Sequence, residues 1–287
     1  MSRFSLIVAT VNRHDELSFL LASLLEQTTC DFELIVVDQN PDDRLDPLLQ
    51  QWLRDARQRS SSTSNAPHLV HLQTLPGLSR ARNLGLERAT GDIIAFPDDD
   101  CWYDPTTLSF VDQWFAQNPN YGILCLGSRD RSGAVSGNRW PQEQCDLTRT
   151  NVFRTTATYS YFLHRGRTSR ELLFDPEIGP GAATIYGAGE DTELILSLMD
   201  TGVCGRFLKS PSIGHPCKPY DSTERAWNYG AGFGRVMAKH RMRTQFVGLV
   251  LFDLIRIPFH YLKGNRDRSL RLWSHAAGMT RTYFHSS

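Results

Sequence analysis

The sequence has no CxxC pair and no other zinc-type spacing. Its six cysteines (Cys30, Cys101, Cys125, Cys145, Cys204, Cys217) are scattered through 287 residues, which excludes a structural zinc module and reads as reduced thiols of a cytosolic protein. No GxxxxGK[ST] stretch occurs, so the phosphate cradle of the P-loop nucleotide hydrolases is missing. No internal repeat and no nucleic-acid-binding motif are visible. The opening "MSRFSLIVAT" is too short and too quickly polar for a secretory leader or a membrane span. An excess of charge of one sign is also lacking, since 31 Lys+Arg balance 31 Asp+Glu. That balance hides a split: residues 1–234 carry 21 basic against 29 acidic residues, and residues 235–287 carry 10 against 2. A basic tail of this kind faces something anionic, such as a membrane surface or nucleic acid. With 40% hydrophobic and 22% charged residues, the chain can bury a core and is not broadly disordered.

What is present is an alternation of strands and helices. "FSLIVAT" (4–10) is a short apolar run, and the following "RHDELSFLLASLLEQ" repeats leucine at helical spacing. "FELIVVD" (32–38) is apolar without alternation, the look of a strand covered on both faces. A helix ("PLLQQWLRDAR"), a polar flexible loop (57–67), a strand ("LVHLQ"), a helix ("GLSRARNLGLERA") and a fourth strand ("DIIAF") follow. This order predicts an α/β fold with a Rossmann-like, mostly parallel sheet flanked by helices. "TTLSFVDQWFAQ" reads as a helix, "YGILCLGS" as a strand and residues 189–202 as a helix opening with acids. Residues 128–170, rich in Ser, Thr, Gly and Arg, resist assignment and are either a binding surface or a loose connection.

In open α/β sheets ligands bind beyond the carboxyl ends of the strands, and Thr10, Asp38 and the triplet Asp98, Asp99, Asp100 all fall there. Adjacent carboxylates repel unless screened. A hard divalent cation relieves that repulsion, typically through one or two carboxylates together with nucleotide phosphates. The competing reading is a solvated loop before the helix at "DPTTL", with Asp104 as its cap.

"SLIVATVNR", "ELIVVDQN", "GLSRARNLGLERATGDIIAFPDDDCWYDP" and "GAGEDTELILSL", in that order and covering roughly residues 4–217, resemble family 2 glycosyltransferases of the GT-A fold. The resemblance implies a mixed, mostly parallel GT-A sheet over residues 1–218, with a nucleotide-sugar half (about 1–105) and an acceptor half (about 106–218). Residues 219–287 form a helical, basic extension. It implies Mn²⁺ or Mg²⁺ and a nucleotide-sugar donor, a UDP- or dTDP-sugar first. Asp38 looks like the carboxylate that meets the base, with Thr10 near base or ribose. Arg82 and Asn83 look like the pair near base and diphosphate, Arg82 through its guanidinium fork. Asp98 and Asp99 reach ribose or metal-bound water, and Asp100, Asp98 and His215 hold the metal. Asp191 looks like the general base of an inverting transfer, with Glu190 orienting it or touching the acceptor.

Each assignment has a plainer alternative. Asp38 can cap a loop, Arg82 and Asn83 can lie on a solvated helix face, Glu190 and Asp191 can simply favour a helix N-terminus, and His215 can be structural. Trp227 and Tyr229 suit an acceptor pocket or an aromatic core. The chain departs from the common family pattern at "ATVNR", where a proline and an aromatic are frequent, and at Pro97. Neither change removes a functional group. Three rivals stand: a metal-dependent nucleotide or nucleotide-sugar hydrolase, a glycoside hydrolase with paired carboxylates, and a basic-tailed nucleic-acid binder. The acidic body argues against the last, so no nucleic-acid partner is expected.

The most hydrophobic stretch, "FVGLVLFDLIRIPFHYL" (246–262), sets Asp253, Arg256, His260 and Lys263 on one helical face. A spanning helix tolerates few such charges. The expectation is an amphipathic helix lying on an anionic membrane, with Arg235, Lys239, Arg241, Arg243, Lys263, Arg266, Arg268 and Arg271 as its basic flanks. A helix docked on the catalytic domain or a second subunit is the alternative, and oligomerisation stays open. Together these readings describe a cytoplasmic enzyme, peripheral at the inner membrane face, that moves a sugar onto a saccharide or lipid-linked acceptor in cell-surface polysaccharide or glycolipid synthesis.

Overall fold

A computed structural model describes residues 2–29, 31–59, 67–168, 171–217 and 222–285. Cys30, most of the 57–67 loop and the expected boundary at 218/219 lie outside the described residues. The chain forms two compact units: Met1–Pro76, Arg80–Leu173 and Leu198–Lys218 make the first, and Gly77–Ser79, Phe174–Ser197 and Pro219–Ser287 the second.

The first unit is built on one sheet. Its strands are β1 (Phe4–Thr10), β2 (Phe32–Asp38), β3 (His68–Gln73), β4 (Ile93–Ala95), β5 (Tyr121–Arg129), β6 (Cys145–Asp146), β7 (Tyr161–His164) and β8 (Cys204–Gly214). The helices between them are α1 (Asp15–Leu25), α2 (Asp46–Arg59), α3 (Leu78–Arg88), α4 (Thr107–Gln117) and the short α5 (Val152–Thr155). All seven residues of β2 are buried, and its consecutive apolar residues 34–37 are those of a strand covered on both faces. Helix α1 turns Leu17, Leu20, Leu21 and Leu24 inward, the stripe expected of a helix packed on a sheet.

The strand order is β3-β2-β1-β4-β7-β5-β8-β6. Strands β3, β2, β1 and β4 are parallel, β7 runs antiparallel between β4 and β5, β8 is parallel to β5, and β6 is antiparallel to β8. The sheet is therefore mixed and mostly parallel, as the motif order implied. Two antiparallel steps through β7 restore the original direction, so β5 and β8 point the same way as β1, β2 and β4. This geometry sends the carboxyl ends of six strands, β1, β2, β3, β4, β5 and β8, to one edge. Residues 128–170, which resisted assignment, supply β7 at the centre of the sheet together with β6 and α5.

In the second unit α6 (Glu190–Asp200) begins, and α7 (Thr223–Lys239), α8 (Arg243–Leu262) and α9 (Arg266–Phe284) follow. Glycines let α7 and α9 approach closely. A Cβ on Gly230 would stand 2.1 Å from the His275 carbonyl oxygen, and one on Gly234 would stand 2.2 Å from that of Met279. Helix α8 replaces part of the expectation drawn from its polar stripe. Asp253 is buried, with a carboxylate oxygen 2.6 Å from His275 Nδ1 of α9, so this part of the stripe is covered by protein and does not face water. Trp227 is half-buried on α7 with its carbonyl against Gly278, and Tyr229 is exposed beneath the Arg225 guanidinium.

Candidate active site

The acidic triplet sits in a tight turn just past β4. The Asp98 carbonyl accepts a hydrogen bond from the Cys101 N–H at 3.1 Å, and buried Phe96 on one side and buried Cys101 and Tyr103 on the other anchor the turn to the core. The three carboxylates diverge toward different donors. Asp98 accepts from the Arg82 guanidinium at 3.2 Å, and Asp99 accepts from the Thr10 hydroxyl at 2.8 Å. Asp100 lies 3.4 Å from His215 Nε2 and 3.5 Å from Arg13 Nη1. Burial pushes the Asp99 carboxyl up to about 6, with the charges of Asp98 and Asp100 adding to it and Thr10 and Arg13 opposing. Positive and polar groups of the protein thus offset part of the repulsion that three adjacent acids create.

His215 reaches this turn through backbone pairing. Trp102 and Gly214 exchange hydrogen bonds at 2.9 and 3.0 Å, and the His215 N–H donates to the Arg129 carbonyl at 2.9 Å. The end of β8 is thereby tied both to the residue after Cys101 and to the end of β5. A Cβ at position 214 would stand 2.0 Å from the Trp102 indole, so any residue other than glycine there displaces that ring or the strand end. The imidazole of His215 stacks on Tyr159, with ring centroids 4.1 Å apart and planes inclined by 11°. The Tyr159 hydroxyl in turn lies 3.1 Å from the Ser128 hydroxyl, which accepts from the Trp140 indole. Ring orientation is fixed by packing and a buried polar chain, which suits a ligand that must keep one nitrogen aimed inward.

One ligand atom each from Asp98, Asp100 and His215 lies within 4.8 Å of the others. Two hard carboxylate oxygens and one borderline imidazole nitrogen form a donor set that fits Mn²⁺ better than Mg²⁺ and is short of six ligands, so phosphate or water oxygens would complete it. Cys217 is exposed and is not a member of the cluster.

Asp38 is fully buried at the end of β2, in register with Thr10 of β1 and Gln73 of β3. Its Oδ1 accepts from the backbone and side-chain nitrogens of Asn40 at 2.8 and 2.6 Å, the loop-capping role weighed from the sequence. Its Oδ2 lies 3.4 Å from His71 Nε2. Arg82 is buried one turn into α3, and Asn83 beside it is half-buried. Sequence reasoning did not single out Arg13, His71 or Tyr159. Arg13 stood inside the quoted "ATVNR", but nothing local marks His71 or Tyr159, which are brought in by the register of β3 and by the turn before β7.

Glu190 and Asp191 belong to the second unit and open α6 after Gly189, whose φ is +96°. Glu190 is buried against Gly179, and Asp191 is half-buried, its Oδ1 accepting from the Thr192 N–H at 2.6 Å. The third acid of this turn, Glu193, was missed in the sequence. It lies 2.8 Å from Lys239 Nζ, which also meets Asp175 at 2.6 Å, and it accepts from the Ser197 hydroxyl at 2.8 Å. Burial works to raise its pKa, but nearby His240, Lys239 and Ser197 outweigh that and hold it at about 2. Glu193 is thus a permanent anion that locks the first turn of α6 to the end of α7, with Glu190 and Asp191 carried on that turn.

A family model described as "Glycosyl transferase family 2" matches residues 5–176. A Haemophilus influenzae protein named an uncharacterized glycosyltransferase is 32% identical over 120 residues, which are 42% of this chain and 37% of that protein. The chain spans between 27% and 37% of the length of the first three curated relatives it matches. Among solved structures, the mannosyltransferase PcManGT from Pyrobaculum calidifontis, in complex with GDP-Man and Mn²⁺, aligns with a TM-score of 0.60 at 17% identity, covering 100% of this chain and 76% of that one. S. aureus TarS 1-349 in complex with UDP aligns with a TM-score of 0.59 at 15% identity, covering 99% and 92%. At these identities the structural matches speak to the fold.

Proposed function

The chain belongs to the family 2 glycosyltransferases, and from that premise we propose that it is a metal-dependent, inverting glycosyltransferase. It moves a sugar from a nucleoside diphosphate donor, a UDP- or dTDP-sugar first, to a hydroxyl of a saccharide or lipid-linked acceptor in the cytoplasm. Cell-surface polysaccharide or glycolipid synthesis is the process it serves. The observation that carries the reading is the meeting of Asp98, Asp100 and His215 at the carboxyl edge of the sheet, where open α/β sheets bind their ligands. Structural neighbours solved with UDP, and with GDP-Man and Mn²⁺, support the donor class.

In this reading Asp98, Asp100 and His215 hold the divalent ion. When bound, the ion neutralises charge on the departing diphosphate. Asp38 meets the base. Thr10 holds Asp99 through its hydroxyl, keeping that carboxyl beside the ribose and away from the other two. Arg82, already beside Asp98, supplies a guanidinium near the diphosphate. Asp191 takes the proton from the acceptor hydroxyl as its oxygen forms the new bond to the anomeric carbon and the bond to the diphosphate oxygen breaks on the opposite face. Glu190 orients that base, and Glu193 fixes the helical turn bearing both.

Two steps test this. Thermal shift against a panel of nucleoside diphosphates and nucleotide sugars, with and without Mn²⁺, identifies the donor, because a ligand specific to the folded state raises its melting temperature. With that donor, Asp191→Asn is expected to keep binding and to lose turnover by a factor of about 10² to 10⁴. Near wild-type transfer by the variant removes Asp191 as the base. Sugar released to water at the same rate with and without acceptor supports a hydrolase in place of a transferase.

A further inference from the structure

The C-terminal helical hairpin of the second unit wears its apolar residues on the outside. Helix α8 has the length and apolarity of a membrane-crossing segment, yet only 11% of its most apolar window is buried within the protein. Leu251, Phe252, Ile255, Phe259 and Leu262 are all more than half exposed, Ile255 at 72% and Leu262 at 85%. At 100° per residue these positions share one broad face. The opposite face holds Asp253, which is turned onto α9 and paired with His275. A helix with its carboxylate inside and Phe252 and Phe259 outside is inverted relative to a water-facing helix of a globular protein. An apolar surface that large marks a binding surface.

Two further observations say what covers it. Helix α9 runs along α8: the Ser269 hydroxyl donates to the Ile257 carbonyl at 3.0 Å, and the rings of Phe246 and Tyr283 stack 3.8 Å apart. The exposed Leu254 and Trp273 line one groove between the two helices, so their outward faces adjoin. The rim of this face is cationic. Lys263 and Arg266 are exposed at the hairpin tip, where they lie over the rings of Phe259 and Tyr261 at 4.2 and 5.7 Å, and exposed Arg241 and Arg243 flank the start of α8. Residues 235–287 hold 10 basic and 2 acidic residues. Apolar side chains ringed by aromatic and cationic ones complement a bilayer with anionic headgroups, with the cations at headgroup depth.

We propose that the α8–α9 hairpin is an in-plane membrane anchor that sinks the outer face of α8 into the interface of an anionic bilayer. The hairpin lies in the plane and does not cross, because α9, packed along α8, carries Arg266, Arg268, Arg271 and Arg281, whose placement in hydrocarbon is costly. The inference is independent of the chemistry proposed above, since it rests on residues 235–287 alone.

Flotation of the full chain with vesicles is the test, using equal parts phosphatidylcholine and phosphatidylglycerol in one arm and phosphatidylcholine alone in the other. The protein is expected to float with the anionic vesicles and to be released by alkaline carbonate. The combined variant Leu251→Gln, Ile255→Gln, Phe259→Gln is expected to weaken binding by about a hundredfold with an unchanged circular dichroism spectrum, since all three side chains are exposed. Lys263→Gln with Arg266→Gln is expected to reduce the preference for anionic over zwitterionic vesicles. Equal flotation of wild type and the triple variant overturns the proposal. Retention through carbonate overturns the in-plane arrangement. A failure to float, with a tight dimer in sedimentation velocity that the triple variant dissociates, assigns the face to a second copy and overturns the membrane.

Discussion

Replacing Glu193 by glutamine removes the anion that holds the first turn of α6, and the structure sets the size of the effect. Glu193 is 2% exposed and sits 2.8 Å from both Lys239 Nζ and the Ser197 hydroxyl. Its pKa of about 2, against an ordinary 4.5, corresponds to about 3 kcal/mol of stabilisation at neutral pH. That figure agrees with the ~3–5 kcal/mol lost when one partner of a buried ion pair is deleted. The sign follows from the folded value being the lower one. The contribution is complete above pH 4.5 and disappears as pH falls toward 2. Urea denaturation of wild type and Glu193→Gln, followed at a series of pH values, is the assay. The variant is expected to be about 3 kcal/mol less stable at pH 7, and the gap is expected to shrink to about 1 kcal/mol near pH 3. A gap under about 1 kcal/mol at neutral pH, or one constant across that range, refutes the assignment of Glu193 as a locked anion.

The glycine contacts supply two more expectations. Gly234→Ala places a methyl 2.2 Å from the Met279 carbonyl oxygen, so the α7–α9 pair must separate at a cost of about 1–3 kcal/mol, measured by the same denaturation; a neutral result means that the close approach is not required. Gly214→Ala drives into the Trp102 indole and displaces His215 from Asp100, so Mn²⁺ affinity is expected to fall about tenfold in calorimetry. An unchanged affinity dissociates the Trp102–Gly214 pairing from the metal cluster.

Much of the first unit is legible in the sequence because its signals are local. The bounds of β1 and β2 match the apolar runs at 4–10 and 32–38, and the placement of Asp98, Asp99 and Asp100 at a strand end needs only the run before them. What the sequence hides is non-local. Strand β7 is four residues with no alternation, embedded in a polar stretch, and it becomes central only by pairing with β4 and β5. His215 follows an eleven-residue strand that no periodicity announces, so its approach to Asp100 was expected from family resemblance and not from pattern. The polar stripe of α8 was visible, but stripe spacing does not say whether water or another helix covers it. The Asp253–His275 contact decides that at the stripe's N-terminal end.

The account stands or falls on Asp98, Asp100 and His215 acting as one divalent-ion site that a nucleotide diphosphate completes. Electron paramagnetic resonance titration of free Mn²⁺ measures this directly, run with the nucleoside diphosphate that most stabilises the wild-type protein. Wild type is expected to take up a single Mn²⁺ whose affinity rises more than about tenfold with the nucleotide, and Asp100→Ala to lose that uptake while keeping the wild-type circular dichroism spectrum. Wild-type Mn²⁺ uptake by a folded Asp100→Ala protein contradicts it.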